Sequence, residues 1–213
     1  MMKPNLLCAA TLLLLAACGS EQQANLANFS KGMNTYLAKR GDLCLAKNSW
    51  PIDVTPAEGS GGSRNALQMP VLEKLGLVAS SAATVEHSDE AGNPSTLQVR
   101  RYQLTDSGKR FYLAREAHAQ APNNPYAAAG HDLCALKLSL DKVIGWETPT
   151  AQNKGAAAVV VTYTYKVAPA PWTSDADVRR VFPVVDSLIR GAGVMQLKEP
   201  FVLTGTGWQA QDL

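Results

Sequence analysis

The sequence predicts an α+β fold on three observations. Apolar residues recur at helical spacing in the first half of the chain, at Leu26, Phe29, Met33, Tyr36 and Leu37, and again at Leu67, Val71, Leu72 and Leu75. In the second half they alternate with a period of two, Cys134, Leu136, Leu138 and Leu140 being separated by Ala135, Lys137 and Ser139. Between the halves, residues 117–131 are poor in large apolar side chains and broken by Pro122 and Pro125, so they read as a linker between modules at 25–116 and 132–213.

The elements follow in chain order. The first helix ends at Gly41, and Leu43 to Val54, with Trp50-Pro51-Ile52, reads as extended. Glu58 to Ser63 is rich in Gly and Ser and reads as a flexible loop, since Gly59-Ser60-Gly61-Gly62-Ser63 lacks the lysine a phosphate cradle needs. The second helix stops at Gly76, with Pro70 expected in its first turn. Ala83 to His87 and Leu97 to Leu104 flank a turn-rich stretch and form a long-looped hairpin. Thr105 is placed to cap a helix that runs on through Phe111, Tyr112 and Arg115. Beyond the linker come a strand from Cys134 and a second at Ala156 to Val167. A helical stripe follows at Val178 to Ile189, in which Pro183 demands a kink or two short helices, and a final strand runs from Leu197 to Gln209.

The order Leu72-Glu73-Lys74-Leu75-Gly76-Leu77-Val78, hairpin, then Tyr102-Gln103-Leu104-Thr105-Asp106-Ser107-Gly108-Lys109 resembles the recognition helix, wing and closing helix of winged-helix proteins, over residues 64–115. The resemblance implies a winged-helix-like module followed by a small antiparallel sheet with one packed helix or kinked helix pair. Fold alone does not carry activity. DNA-binding relatives read bases from the helix and grip phosphate from the wing. Here the helix start offers Asn65 and Gln68 but only Arg64 as a cation, and the cluster Arg100, Arg101, Lys109 and Arg110 reads as a solvated face rather than a nucleic-acid patch. Lys and Arg total 20 against 18 Asp and Glu, a balance that gives no reason to expect nucleic acid as a partner.

The N-terminus supplies an address. Lys3 precedes the apolar run Leu6 to Ala17, too short to span a bilayer comfortably, and Leu15-Ala16-Ala17-Cys18 closes it. These four residues resemble the lipobox of bacterial lipoprotein precursors. The resemblance implies a signal peptide at 1–17, removed before Cys18, which then carries the lipid, and a polar tether at 18–24. Gly19, where retention at the inner membrane favours aspartate, points to the outer membrane. In such a compartment Cys44 and Cys134 are the only unassigned thiols of the mature chain, and one disulfide is expected; two separate buried thiols are the alternative. Their contexts share Asp-Leu-Cys, at 42–44 and 132–134, with no similarity continuing outside them.

Catalytic chemistry is not written in any local motif. His87, His118 and His131 stand in loop or linker contexts, neither cysteine has a second ligand at zinc spacing, and no nucleophile elbow, phosphate loop or calcium loop occurs. No cofactor, metal or catalytic residue is expected. The sequence therefore predicts a non-enzymatic, lipid-anchored envelope protein acting through contacts with an envelope partner, with Arg100, Arg101 and the hairpin tip near Asp89 to Pro94 as the contact surface. The competing reading is a periplasmic binding protein for a small apolar or peptide ligand, with Tyr163, Tyr165, Trp172 and Trp208 lining a groove; core packing is the alternative for these aromatics.

Overall fold

The computed structural model describes residues 21–88, 92–116, 130–148 and 157–213. The signal segment, Cys18, most of the linker with His118, and the hairpin tip at 89–91 lie outside the described residues. Helix α1 (Leu26–Arg40) is capped by the Asn25 side chain, which accepts from the Asn28 amide. It buries Phe29, Gly32, Met33 and Leu37 along one stripe. Strands β1 (Asp42–Cys44) and β2 (Ile52–Val54) follow.

The Gly-Ser-rich stretch is not an open loop. It forms helix α2 (Pro56–Gly61), because Thr55 and Glu58 make a reciprocal capping box, Pro56 opens the first turn and Gly62 closes the helix at φ 65°. Helix α3 (Arg64–Lys74) starts at a Ser63 cap, one turn earlier than expected, which leaves Pro70 inside the helix on an exposed face. Strands β3 (Val78–Ser88) and β4 (Pro94–Leu104) form the hairpin. Thr105 does cap a helix, but α4 (Asp106–Lys109) is a single turn, and Tyr112–Arg115 leaves it as strand β5. Backbone pairing with the next strand, at Tyr112↔Leu133 through Arg115↔Gly130, outweighs the weak helical pattern there.

Strands β6 (Gly130–Glu147) and β7 (Ala158–Pro169) are the long members of the main sheet. A 3-10 turn at Pro171–Ser174 leads to α5 (Ala176–Val181) and α6 (Pro183–Gly191), with Pro183 at the start of the second helix as its fixed φ favours. The last strand is in fact a hairpin, β8 (Leu197–Thr204) and β9 (Gly207–Ala210), turned where Thr204 Oγ1 donates to the Gly207 carbonyl and Gly207 takes φ 107°.

Pairing overturns the expected architecture. The main sheet is antiparallel with order β1-β6-β7-β8-β9 and β5 also on β6, and it curls into a half-barrel. Register shifts in β6 between Leu140 and Lys142 and between Val143 and Gly145 accompany the bend. The chain is not a winged-helix-like module followed by a small sheet. Its N-terminal helix packs on the main sheet, with the Phe29 ring 4.7 Å from Trp146 and 5.1 Å from Trp208, and β1 and β5 are strands of that same sheet. The reason is the apolar stripe of α1: Phe29, Met33 and Leu37 share one buried cluster with Val161, Tyr163, Tyr165 and Phe201, so burial sends this helix away from the hairpin that follows it. A second cluster joins Met69, Leu72, Val78 and Tyr102 to Leu133, Trp172, Val178 and Phe182, uniting α3 and the three-stranded sheet β2-β4-β3 with α5 and α6.

Candidate functional site

Between α3, the α5–α6 junction and the end of β1 lies a groove of about 500 Å³. Helix α3 contributes Arg64, Leu67 and Gln68, which the i, i+3, i+4 spacing places on one face. The junction contributes Val181, Phe182, Pro183, Val184 and Val185, since the break at Pro183 turns α6 away from α5. Leu43 to Ala46 form the remaining wall. Leu67 and Val184 are 57% and 61% exposed, unusual for large apolar side chains facing each other across a depression. Gln68 Nε2 donates to the Val181 carbonyl at 3.0 Å, which fixes the amide, and its buried Oε1 has no partner among the described residues. The groove thus offers apolar walls, one oriented acceptor and the Arg64 cation.

The wall beside β1 is held rigidly. Cys44 and Cys134 face each other in the β1–β6 pairing and form a disulfide, as the compartment argument expected. Ala46 then takes φ 57°, a left-handed conformation that a non-glycine residue keeps only where its neighbours impose it. They do so here through three bonds: Leu45 N to Leu133 O at 2.9 Å, Lys47 N to Asp132 Oδ1 at 2.7 Å, and Trp50 Nε1 to Lys47 O at 3.2 Å. Lys47 is only 3% exposed. Burial, reinforced by Arg64 and partly opposed by Asp132, lowers its ammonium to about 8. It is the lysine best placed to exchange a proton near neutral pH.

A second group of perturbed residues lies under α1. Burial raises Glu199 against the hydrogen bond from Tyr36, with Asp212 adding to the rise; burial and Glu199 push Tyr163 up to about 12 and hold Tyr36 well above the usual phenol range. These groups sit in the packed interface between α1 and the sheet. None of the three lines the α3–α6 groove.

The residues singled out from sequence fall elsewhere. Arg101 makes a two-pronged pair with Asp53 at 2.8 and 2.7 Å, opposite it in the β2–β4 register. Arg100 bonds Glu73 at 2.8 Å and Ser80 Oγ at 2.9 Å and lies 5.4 Å over the Tyr102 ring. Both arginines therefore fasten the hairpin to β2 and α3. Tyr163, Tyr165 and Trp208 belong to the cluster under α1, and Trp172 to the other cluster, so the four line no common groove. His131 stacks on Tyr112 at 5.3 Å. Nothing in the sequence brought the groove residues Leu67 and Val184 together, because adjacency across more than a hundred positions is a product of folding. Among the described residues no group of three or more His, Cys, Asp or Glu is arranged to hold a metal, and no helix is long and apolar enough to cross a membrane.

Comparison with family models, with curated proteins and with solved structures found no match to this chain.

Proposed function

We propose that this is a lipid-anchored protein of the bacterial envelope, held at the outer membrane through Cys18, that acts by protein contact, its α3–α6 groove receiving an apolar side chain from an extended segment of an envelope partner. The observation that carries the reading is the unpaired, buried Oε1 of Gln68 between the exposed Leu67 and Val184. A buried acceptor without a donor costs about 1–3 kcal/mol, which a backbone N–H of the bound segment would recover. The groove's size and apolar walls suit one or two side chains presented by such a segment. The reading assigns no catalytic step, cofactor or nucleic acid.

A photocrosslinking residue at position 67 of the full lipidated chain, irradiated in native envelopes, tests it. The expected result is a protein adduct that disappears with Val184→Glu and with Gln68→Leu, while a probe at the exposed Leu113 gives none. An adduct insensitive to both substitutions overturns the groove, and an adduct of small-molecule mass replaces the peptide with a small ligand. Acyl labelling lost in Cys18→Ser tests the anchor separately.

A further inference from the structure

The segment just before α1 is pinned to one end of the main sheet. Trp208 Nε1 donates to the Gln22 carbonyl at 3.1 Å, Asn28 Nδ2 to the Gln23 carbonyl at 2.8 Å, and Lys31 Nζ to Glu21 Oε1 at 2.6 Å. The Glu21 carbonyl also rests on Gly207 in the β8–β9 turn, 3.1 Å from where a Cβ would stand. Cys18 lies three positions earlier in the chain. An extended chain covers at most about 3.6 Å per residue, so Glu21 lies within about 11 Å of Cys18.

Two large apolar side chains stand open at this same end. The apolar stripe of α1 starts one turn before its first covered member: Leu26 is 55% exposed, whereas Phe29, three positions on and on the same face, is wholly buried. Trp146, the penultimate residue of β6, packs its ring 4.7 Å from Phe29 and is still 37% exposed. Leu26 and Trp146 thus flank one buried ring at the rim of the half-barrel. Glu147, beside Trp146, and Glu21 are held by Lys198 and Lys31, each at 2.6 Å, so neither carboxylate offers uncompensated charge to an anionic surface.

We infer that this rim is a membrane-docking face: Leu26 and Trp146 enter the headgroup layer of the bilayer that holds the acyl chains of Cys18. The inference rests on the reading that Cys18 is lipidated, and adds how the chain is oriented on that anchor. Reach decides the occupant. The headgroup layer is about 5–8 Å deep on each side of the hydrocarbon, so a residue within about 11 Å of an acylated cysteine stays at the bilayer surface. Trp suits this depth through its apolar ring and polar N–H, and Leu26 adds apolar area. Helix α1 then runs outward from the membrane. Its 15 residues span about 22 Å, and at the far end the Gly41 carbonyl accepts from the Leu138 amide, well before Trp146 on β6. The groove wall at Leu43 to Ala46 follows directly, so docking of the rim holds the groove away from lipid and open to a partner.

A nitrobenzoxadiazole label on a single added cysteine reads this face. The full lipidated chain is reconstituted in vesicles of phosphatidylethanolamine and phosphatidylglycerol, with or without bromine on the acyl chains. The label at Leu26→Cys should be quenched by bromine about threefold more than at Ala27→Cys, which has the same reach from Cys18 but points about 100° round the helix. At Val194→Cys, beside the Gly193–Tyr165 backbone bond toward the end of β7 remote from Trp146, it should not be quenched. Trp146→Gln should lower the quenching at position 26 about twofold, with circular dichroism unchanged. Equal quenching at 26 and 27, or quenching at 26 indifferent to Trp146→Gln, overturns the face and leaves the anchor standing, since acyl mass on Cys18 is read in the same sample. Absence of that mass overturns anchor and face together.

Discussion

Asp132 Oδ1 accepts the Lys47 amide at 2.7 Å, joining two segments 85 positions apart at a carboxylate only 1% exposed. Its Oδ2 lies 3.3 Å from Arg115, so one side chain anchors the turn after β1, the start of β6 and the end of β5. That turn forms one wall of the groove, which places the groove's shape downstream of this single buried acid.

Replacing Asp132 by Ala strands the Lys47 amide and leaves Arg115 beside an empty site. The expected cost is about 2–4 kcal/mol of folding stability. Asp132→Asn keeps an acceptor for the amide and should cost about half as much. Urea unfolding midpoints of the two variants check this ordering; equal midpoints would contradict it.

Lys47 should make stability depend on pH in the alkaline range. Its ordinary value is 10.5 and the folded value is lowered to about 8. Below 8 both states hold the proton and the fold bears a buried charge. Between 8 and 10.5 the unfolded chain alone binds it, so stability rises with pH across that window. Lys47→Met, which retains an apolar stem, should therefore stabilise at pH 7 by on the order of 2 kcal/mol, and the gain should vanish near pH 10.5. Thermal unfolding of both proteins from pH 6 to pH 10.5 measures the difference directly.

The Cys44–Cys134 bond closes a loop across a sequence separation of 90. In the chain-entropy model such closure is worth about 4–5 kcal/mol, an upper value for the loss on reduction. Replacing both cysteines by Ser should lower the melting temperature and loosen the groove wall at Leu45 and Ala46. Alkylation of the unfolded, unreduced protein should label neither cysteine.

Gly32 marks the closest approach of α1 to the sheet. A Cβ there would stand 2.7 Å from the Trp208 carbonyl and press on the Phe201 ring. Gly32→Ala should gain helix propensity yet lose about 1–3 kcal/mol net, because backbone on the facing strand cannot move aside. Gly59→Ala, with nothing near its Cβ, is the control and should be neutral or stabilising.

The sequence by itself determined the local elements: the α1 stripe ending at Gly41, the β3–β4 hairpin, the strands β6 and β7, the helix break at Pro183 and the cysteine pair. Each of these depends on periodicity, a breaker or a count, all of which are properties of neighbouring residues. Where the signal was compositional it misled: Gly-Ser richness hid the Thr55–Glu58 capping box, and apolar residues after Thr105 concealed the short strand β5. Only the tertiary structure decided the architecture. The apolar faces of α1 and α3 are buried in separate clusters: Phe29 makes tilted and edge-on contacts with Trp146, Phe201 and Trp208, while Met69 and Leu72 share a cluster with Trp172 and Phe182. That partition created the groove between Leu67 and Val184 and brought Arg100 to Glu73 and Arg101 to Asp53. Burial of complementary shapes acts across any sequence distance, and so it leaves no local mark in the chain.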